Sequence, residues 1–193
     1  VKKRGGVYQL EFELYTADNK KLIGSFAGLL ADFTMDFGVG SGLFNLQETD
    51  YPLDHGILVY QRSSTNLPPY QFDLFLFGTG ITYTETDGIA GNGNSLNFKI
   101  YSSSPNYLTS GTYIYSVNNP IEIFQITAGG YKILHDPLNL QESDWSGTIS
   151  SGIITITRDR VNYTIEYNLY SGIKNIKCQY TGLLEYHTLI PTK

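Results

Sequence analysis

Two acidic side chains, Glu85 and Asp87, share one face of a predicted strand and could act as a carboxylate pair. Glycoside hydrolases need two such groups, one as the acid and one as the base or nucleophile. Another acidic position recurs in three strand sequences, as Glu11, Asp73 and Glu166. Because a catalytic pair is ordinarily unique to one site, we interpret the recurring acid as a solvated strand residue that faces a cross-strand lysine. We assign no catalytic residue, and a carboxylate-dependent glycoside hydrolase stays an alternative.

The loop over residues 87–94 carries oxygen ligands of the kind that Ca²⁺ prefers. These are the side-chain oxygens of Asp87, Asn92 and Asn94, together with the carbonyl groups of the turn. The spacing is not that of an EF-hand because no glutamate closes the loop, and Asn-Gly is also the commonest hairpin turn. We therefore favour a plain turn and expect no cofactor, with Ca²⁺ as the alternative.

Aromatic side chains at predicted loops and strand ends are the candidate ligand-binding residues. The chain has sixteen Tyr, ten Phe and one Trp, and most of them alternate into predicted core faces. A ring exposed near Asn and Asp side chains offers a face on which a sugar can stack. The aromatic residues outside the alternation are Tyr51, Tyr60, Tyr107, Tyr131 and Trp145. They predict glycan binding, although packing would explain any one of them alone.

Several other chemistries lack their motifs. No G-x-S-x-G elbow is present, and the glycines of residues 38–42 lack the spacing and the following helix of a dinucleotide site. A single cysteine, Cys178, excludes an intramolecular disulfide and a Cys-based zinc site. The net charge of −5 argues against a nucleic-acid partner. No apolar run approaches the roughly 20 residues of a transmembrane segment.

The candidate residues lie on strands that alternate apolar and polar side chains with period two. Tyr163, Ile165, Tyr167 and Leu169 show the pattern, and no window has the 3.6-residue period of a helix. Roughly a dozen short strands with turn residues between them are typical of all-β folds. We predict one all-β domain over residues 1–193, an antiparallel β-sandwich of jelly-roll or related two-sheet type. The alternative is a closed lipocalin-like β-barrel, which would bind a small apolar ligand.

An internal repeat relates the two ends of the chain. Residues 8–30 read YQLEFELYTADNKKLIGSFAGLL and residues 163–184 read YTIEYNLYSGIKNIKCQYTGLL, with one deletion in the turn. Each copy predicts a β-hairpin, and the repeat predicts a half-unit over residues 1–56 and a fuller unit over 57–193. Cys178 stands where the other copy has Gly24, so we expect the thiol to occupy a small buried site.

Short strand-and-turn motifs in a fixed order also suggest a family. They are Gly91–Tyr101, Leu108–Tyr113, Ser151–Ile156, Tyr163–Ile165 and Tyr180–Leu183. In this order the chain, over about residues 57–187, resembles small secreted lipoproteins and outer-surface proteins of the Bacteroidetes type. The resemblance implies a secreted or lipid-anchored β-domain and supplies no catalytic residues. No lipobox cysteine is present, so the anchor would lie upstream, and residues 1–46 resemble the tail of an additional half-unit.

Together these observations predict a protein that is not an enzyme. We expect a binding or structural module of the bacterial cell envelope, on the outer surface or in the periplasm, or a secreted one. Its expected partner is a glycan or another envelope protein.

Overall fold

The computed structural model describes residues 2–4, 7–15, 21–28, 39–63, 67–84, 88–133 and 145–189. Every regular element within these ranges is a β-strand, which confirms the all-β prediction. No helix in these ranges is long and apolar enough to cross a membrane. The chain forms two compact units, Val1–Asp36 and Phe37–Lys193.

Among the described residues, the first unit contains three strands and the second contains thirteen. The strands of the first unit are β1 (Lys2–Arg4), β2 (Val7–Tyr15) and β3 (Lys21–Gly28). The strands of the second unit are β4 (Val39–Leu46), β5 (Thr49–Gln61), β6 (Tyr70–Phe77), β7 (Ile81–Thr84), β8 (Gly88–Gly91), β9 (Ser95–Ser102), β10 (Gly111–Tyr115), β11 (Gln125–Ile133), β12 (Trp145–Thr148), β13 (Ser151–Asp159), β14 (Asn162–Ser171), β15 (Lys174–Leu183) and β16 (Glu185–Leu189).

Nine strands of the second unit close into a barrel. Their order is β10-β13-β14-β15-β4-β5-β6-β9-β11, and β11 pairs with β10 to complete the ring. All neighbouring pairs are antiparallel except β10–β11, which is parallel. An odd number of strands cannot alternate in direction all the way around a ring, so one parallel pair is a geometric necessity.

The barrel corrects the prediction of a two-sheet sandwich. The alternative, a closed barrel, is what the structure contains. Alternation with period two shows that each strand has one buried face, which is equally true of a sandwich and of a barrel. The difference lies in the pairing of β10 with β11, where Ile114 N donates to Phe124 O at 2.9 Å and Ser116 N donates to Ile126 O at 2.9 Å. No local sequence pattern predicts the pairing of β10 with β11.

The barrel interior holds one hydrophobic core. Alternate residues of each strand face inward, so that on β14 the side chains of Tyr163, Ile165, Tyr167 and Leu169 are buried, as the alternation predicts. The largest side chains with less than 2% exposure include Phe44, Phe72, Phe98, Tyr113 and Tyr180. Rings of this size supply much of the apolar area that stabilises the fold.

A second, smaller core lies on the outer side of β5 and β6. Ile57 and Val59 on β5, Phe77 on β6 and Ile81 on β7 are buried together, with Tyr83 packed against them. The short hairpin of β7 and β8 contributes two of these residues and therefore covers this side of the barrel. Because β5 is buried on both faces here, its sequence loses the alternation and reads Ile57-Leu58-Val59-Tyr60.

Strand β5 changes its neighbour along its length. Its first half pairs with β4, and its second half pairs in parallel with β16. Gly56 lies at this change, where an added Cβ atom would come within 2.9 Å of the Tyr180 hydroxyl. Since no larger residue fits without movement, glycine at this position leaves room for the Tyr180 side chain inside the barrel.

Candidate functional site

The outer side of β14, β15, β4 and β5 forms a surface that we call the polar face. It is built from three cross-strand rows of outward residues, because the residues between them on each strand are the buried ones. The rows are Asn168–Lys177–Asn45–Asp50, Glu166–Gln179–Leu43–Pro52 and Thr164–Thr181–Ser41. Residues far apart in the sequence therefore become direct neighbours through the pairing of β15 with β4.

Two shallow depressions lie on the polar face. One has a volume of about 370 Å³ and is lined by Glu166, Lys177, Gln179 and Asp50, among others. The other has a volume of about 570 Å³ and lies towards Ser41, Asp54 and Thr181. Leu43 lines both of them and is 50% exposed, and together with the neighbouring Pro52 it forms the apolar centre of the polar face.

Some side chains of the polar face are already held by hydrogen bonds. Asn45 Nδ2 donates to Asp50 Oδ1 at 2.8 Å, which holds the Asp50 carboxylate against its cross-strand neighbour on β4. Asp54 Oδ2 accepts from Thr79 N at 3.0 Å and from Thr79 Oγ1 at 2.6 Å. Asp54 is thus engaged in holding the turn before β7, and it contributes less to a surface that binds ligand.

Three polar side chains at the centre of the face make no such bonds. Within the part of the chain that the structure describes, Glu166, Lys177 and Gln179 have no hydrogen-bonded or ion-paired side-chain partner. They offer a carboxylate, an ammonium group and a carboxamide beside Leu43. Such a set can accept from and donate to the hydroxyl groups of a ligand that also places an apolar patch on Leu43.

The aromatic residues predicted to bind ligand are spread over different parts of the barrel. Tyr60 and Tyr131 are 6% and 4% exposed, so neither ring offers a face to solvent. The half-buried Tyr51 stacks on Phe44 with ring centroids 5.0 Å apart, at the inner side of β5. These three rings contribute to the core, which is the packing role that would explain each of them alone.

The other two aromatic candidates are placed differently. Tyr107 lies beneath the guanidinium of Arg158, whose Cζ is 4.2 Å from the ring centroid. Trp145 begins β12 and pairs with Ile133, two positions along β11 from Tyr131. The structure therefore brings Trp145 near Tyr131 but does not gather the five aromatics into one site.

The predicted calcium loop is described only in part. Asp87 lies outside the described residues, as does Glu85, so the carboxylate pair cannot be placed. Asn92 is exposed and donates its backbone N–H to Gly80 O at 3.0 Å, while Asn94 O accepts from Gly78 N at 2.9 Å. The described residues contain no cluster of three or more His, Cys, Asp or Glu side chains that could hold a metal ion.

Cys178 faces the barrel interior, as its alignment with Gly24 predicts. It is 8% exposed, and burial raises the pKa of its thiol well above the ordinary value. A reactive cysteine needs a lowered pKa and access to solvent, so Cys178 has the properties of a packing residue.

The polar face was not predicted from the sequence. Polar residues at outward strand positions are ordinary, and only the register of β15 against β4 gathers Glu166, Lys177 and Gln179 around Leu43. The one available signal was a leucine at an outward position between Ser41 and Asn45.

Comparison of the chain with protein families, with curated proteins and with solved structures returns no match.

Proposed function

We propose that the protein is a non-enzymatic binding module of the cell envelope or a secreted one, and that it binds a saccharide on the polar face. The observation that carries this proposal is the group of unengaged side chains, Glu166, Lys177 and Gln179, around the exposed Leu43. Sugars present many hydroxyl groups and small apolar patches, and these side chains complement both.

The apolar-ligand alternative has less support from the geometry than the saccharide proposal. A barrel that binds a small apolar ligand needs interior space, whereas here the interior holds Phe44, Phe72, Phe98, Tyr113 and Tyr180 as buried core. The hydrolase alternative rests on Glu85 and Asp87, which lie outside the described residues.

A quantitative binding experiment tests the saccharide proposal. The whole protein is passed over an oligosaccharide array, and the retained sugar is titrated by calorimetry. We expect Lys177→Ala and Gln179→Ala each to weaken binding about tenfold, which is the loss of one hydrogen bond of ordinary strength. Lys132→Ala is the matched control, because Lys132 is an exposed lysine on β11, a different part of the barrel.

The same experiment also separates binding from catalysis. Reducing ends are measured after incubation with each retained sugar, and we expect no release. Release that is lost in a Glu85→Gln variant would overturn the proposal in favour of hydrolysis. An equal effect of Lys132→Ala and Lys177→Ala would remove the polar face as the binding site.

A specific observation also favours binding to another envelope protein. Ile114 and Ile153 are directly paired outward residues of β10 and β13, and they are 56% and 40% exposed. Val117 nearby in the chain is 77% exposed. Adjacent exposed aliphatic side chains are typical of protein interaction surfaces. Retention of envelope proteins by the native protein, lost in Ile114→Asp with Ile153→Asp, would support this second function.

A further inference from the structure

The first unit repeats the strand pairing of β13–β15. In the hairpin of β2 and β3, Phe12 pairs with Gly24, and in the hairpin of β14 and β15, Tyr167 pairs with Cys178. The same correspondence holds for Leu10 with Phe26, which matches Ile165 with Tyr180. The two hairpins therefore agree in register as well as in sequence.

The agreement extends to a third strand. In the first unit Lys3 pairs with Tyr8, and in the barrel Arg158 pairs with Tyr163. Two residues separate the paired strands in both cases, since Arg4 pairs with Val7 and Asp159 pairs with Asn162. The sheet β1-β2-β3 is thus a second copy of three consecutive strands of the barrel, β13-β14-β15.

In the barrel, this element has a neighbour on each side. Strand β10 pairs with β13, and strand β4 pairs with β15. In the first unit the order ends at β3, and among the described residues no strand pairs with its outer edge. An edge strand with a row of unpaired backbone groups is a template for another strand.

The register shows what kind of strand would fit. On β15, Cys178 pairs with Phe44 and Gln179 pairs with Leu43 of β4. By the repeat, Gly24 and Ser25 hold the equivalent positions on β3. The chain's own β4 already has both edges occupied, by β15 and by β5, and the same is true in any second copy of the chain. The partner must therefore bring a β4-like strand of its own.

We propose that the outer edge of β3 binds the first strand of another barrel of this type, one that consists of the six strands equivalent to β4, β5, β6, β9, β10 and β11. In that complex β1–β3 would complete the ring, with a β4-like strand antiparallel to β3 in the register that β4 keeps with β15. This inference concerns an interaction surface and does not depend on saccharide binding.

A register-specific cross-link tests the proposal on the whole chain. Ser25→Cys is combined with Cys178→Ala and mixed in a redox buffer with a peptide of the β4 sequence, VGSGLFNL, that carries cysteine in place of Leu43. We expect this disulfide to form at least about tenfold more than with a peptide that carries cysteine in place of Phe44. The Phe44 position points to the opposite face of the strand.

A matched variant and a second measurement complete the test. Gln179→Cys, also with Cys178→Ala, should form little cross-link because β4 already occupies that edge. Hydrogen exchange of the amides in residues 21–28 should slow when the unmodified peptide is added. Cross-linking that is equal for both peptides, or no slowing of exchange, would overturn the proposal.

The chain's own β4 is tested as the other occupant. Ser25→Cys and Leu43→Cys are placed together in one chain with Cys178→Ala. We expect these two cysteines to stay reduced under conditions that cross-link the peptide. A disulfide within the chain, or between two copies of it, would show that β3 pairs with β4 of this protein and would overturn the assignment to a separate barrel.

Discussion

Two tyrosine hydroxyls inside the barrel differ in their hydrogen bonding. Tyr180 donates to Leu183 O at 2.8 Å, whereas the buried hydroxyl of Tyr167 has no partner among the described residues. Burial raises the pKa of both phenols, so both stay protonated. A buried donor without an acceptor costs about 1–3 kcal/mol, while a satisfied one contributes about 0.5–1.5 kcal/mol.

The two hydroxyls are therefore expected to respond oppositely to removal. Tyr167→Phe should leave the free energy of unfolding unchanged or raise it by up to about 2 kcal/mol, because it removes an unsatisfied group. Tyr180→Phe should lower it by about 1 kcal/mol. Urea denaturation of the two variants provides the measurement. If Tyr167→Phe were the more destabilising of the two variants, the inference that the Tyr167 hydroxyl lacks a hydrogen-bond partner would be wrong.

Asp73 predicts a pH dependence of stability. It lies opposite Lys99 on β9, as expected for the recurring acid, whereas the equivalent Glu166 lies opposite Thr155 and Gln179. Asp73 also accepts from Gln61 Nε2 at 2.6 Å. Burial nevertheless raises the pKa of Asp73 above its ordinary value of 3.8. A raised pKa in the folded state means that the folded protein holds this proton more tightly than the unfolded chain does.

The contribution of Asp73 to the free energy of unfolding is therefore fully present below pH 3.8, and it is lost as the pH rises through the raised pKa of the folded state. We expect Asp73→Asn to remove this contribution. Between pH 4 and pH 7 the free energy of unfolding of the variant should therefore fall less than that of the natural protein. Denaturation curves across this range measure the difference. Parallel pH profiles for the two proteins would contradict the prediction.

At the scale of elements, the close approach of β4 to β15 depends on glycine. An added Cβ atom at Gly42 would meet the Gln179 carbonyl and lie 2.8 Å from Tyr180 Cα, and neither backbone atom can move freely. We expect Gly42→Ala to destabilise the protein by about 1–3 kcal/mol, as overpacking does. Ser41→Ala, at the preceding position, which is exposed, should change the free energy of unfolding by less than about 0.5 kcal/mol. Chemical denaturation of both variants provides the measurement. Equal effects of the two substitutions would contradict the prediction.

Strands β14 and β15 show which parts of the structure could be predicted from the sequence and which could not. Alternation along Tyr163–Leu169 predicts which residues of β14 are buried, and alignment with Gly24 predicts the buried site of Cys178, because both depend on local pattern. The polar face depends instead on β15 meeting β4, two strands that are distant in the sequence. No local pattern records that pairing, so Glu166, Lys177 and Gln179 read as separate surface residues.

At the scale of the whole molecule, ring closure depends on few hydrogen bonds. Ile114 N donates to Phe124 O across the parallel pair β10–β11, and its side chain is 56% exposed. We expect Ile114→Pro to destabilise the protein by about 1–3 kcal/mol, since proline removes the donor and leaves an acceptor unpaired. Ile114→Thr keeps the N–H and the β-branched shape, so its effect should be within about 0.5 kcal/mol.

Thermal and chemical denaturation of these two variants would measure the contribution of closure. Similar stabilities would show that the β10–β11 pairing contributes little and that the sheet is held without it. The prediction of two sheets was wrong at this scale, because a sandwich and a barrel share the same strand patterns and differ only in whether the last edges meet.

The pairing of β4 with β15 also has a consequence for synthesis on the ribosome. Leu46 lies on β4, the first strand of the barrel in the sequence, and pairs with Ile176 on β15, the last of the barrel's nine strands in the sequence. Until the ribosome has released residues 174–183, the outer edge of β4 has no partner in its own barrel. The nascent chain must therefore carry an open sheet edge while the residues between β4 and β15 are synthesised, which is the period when an unpaired strand is most exposed to aggregation or to capture by a chaperone.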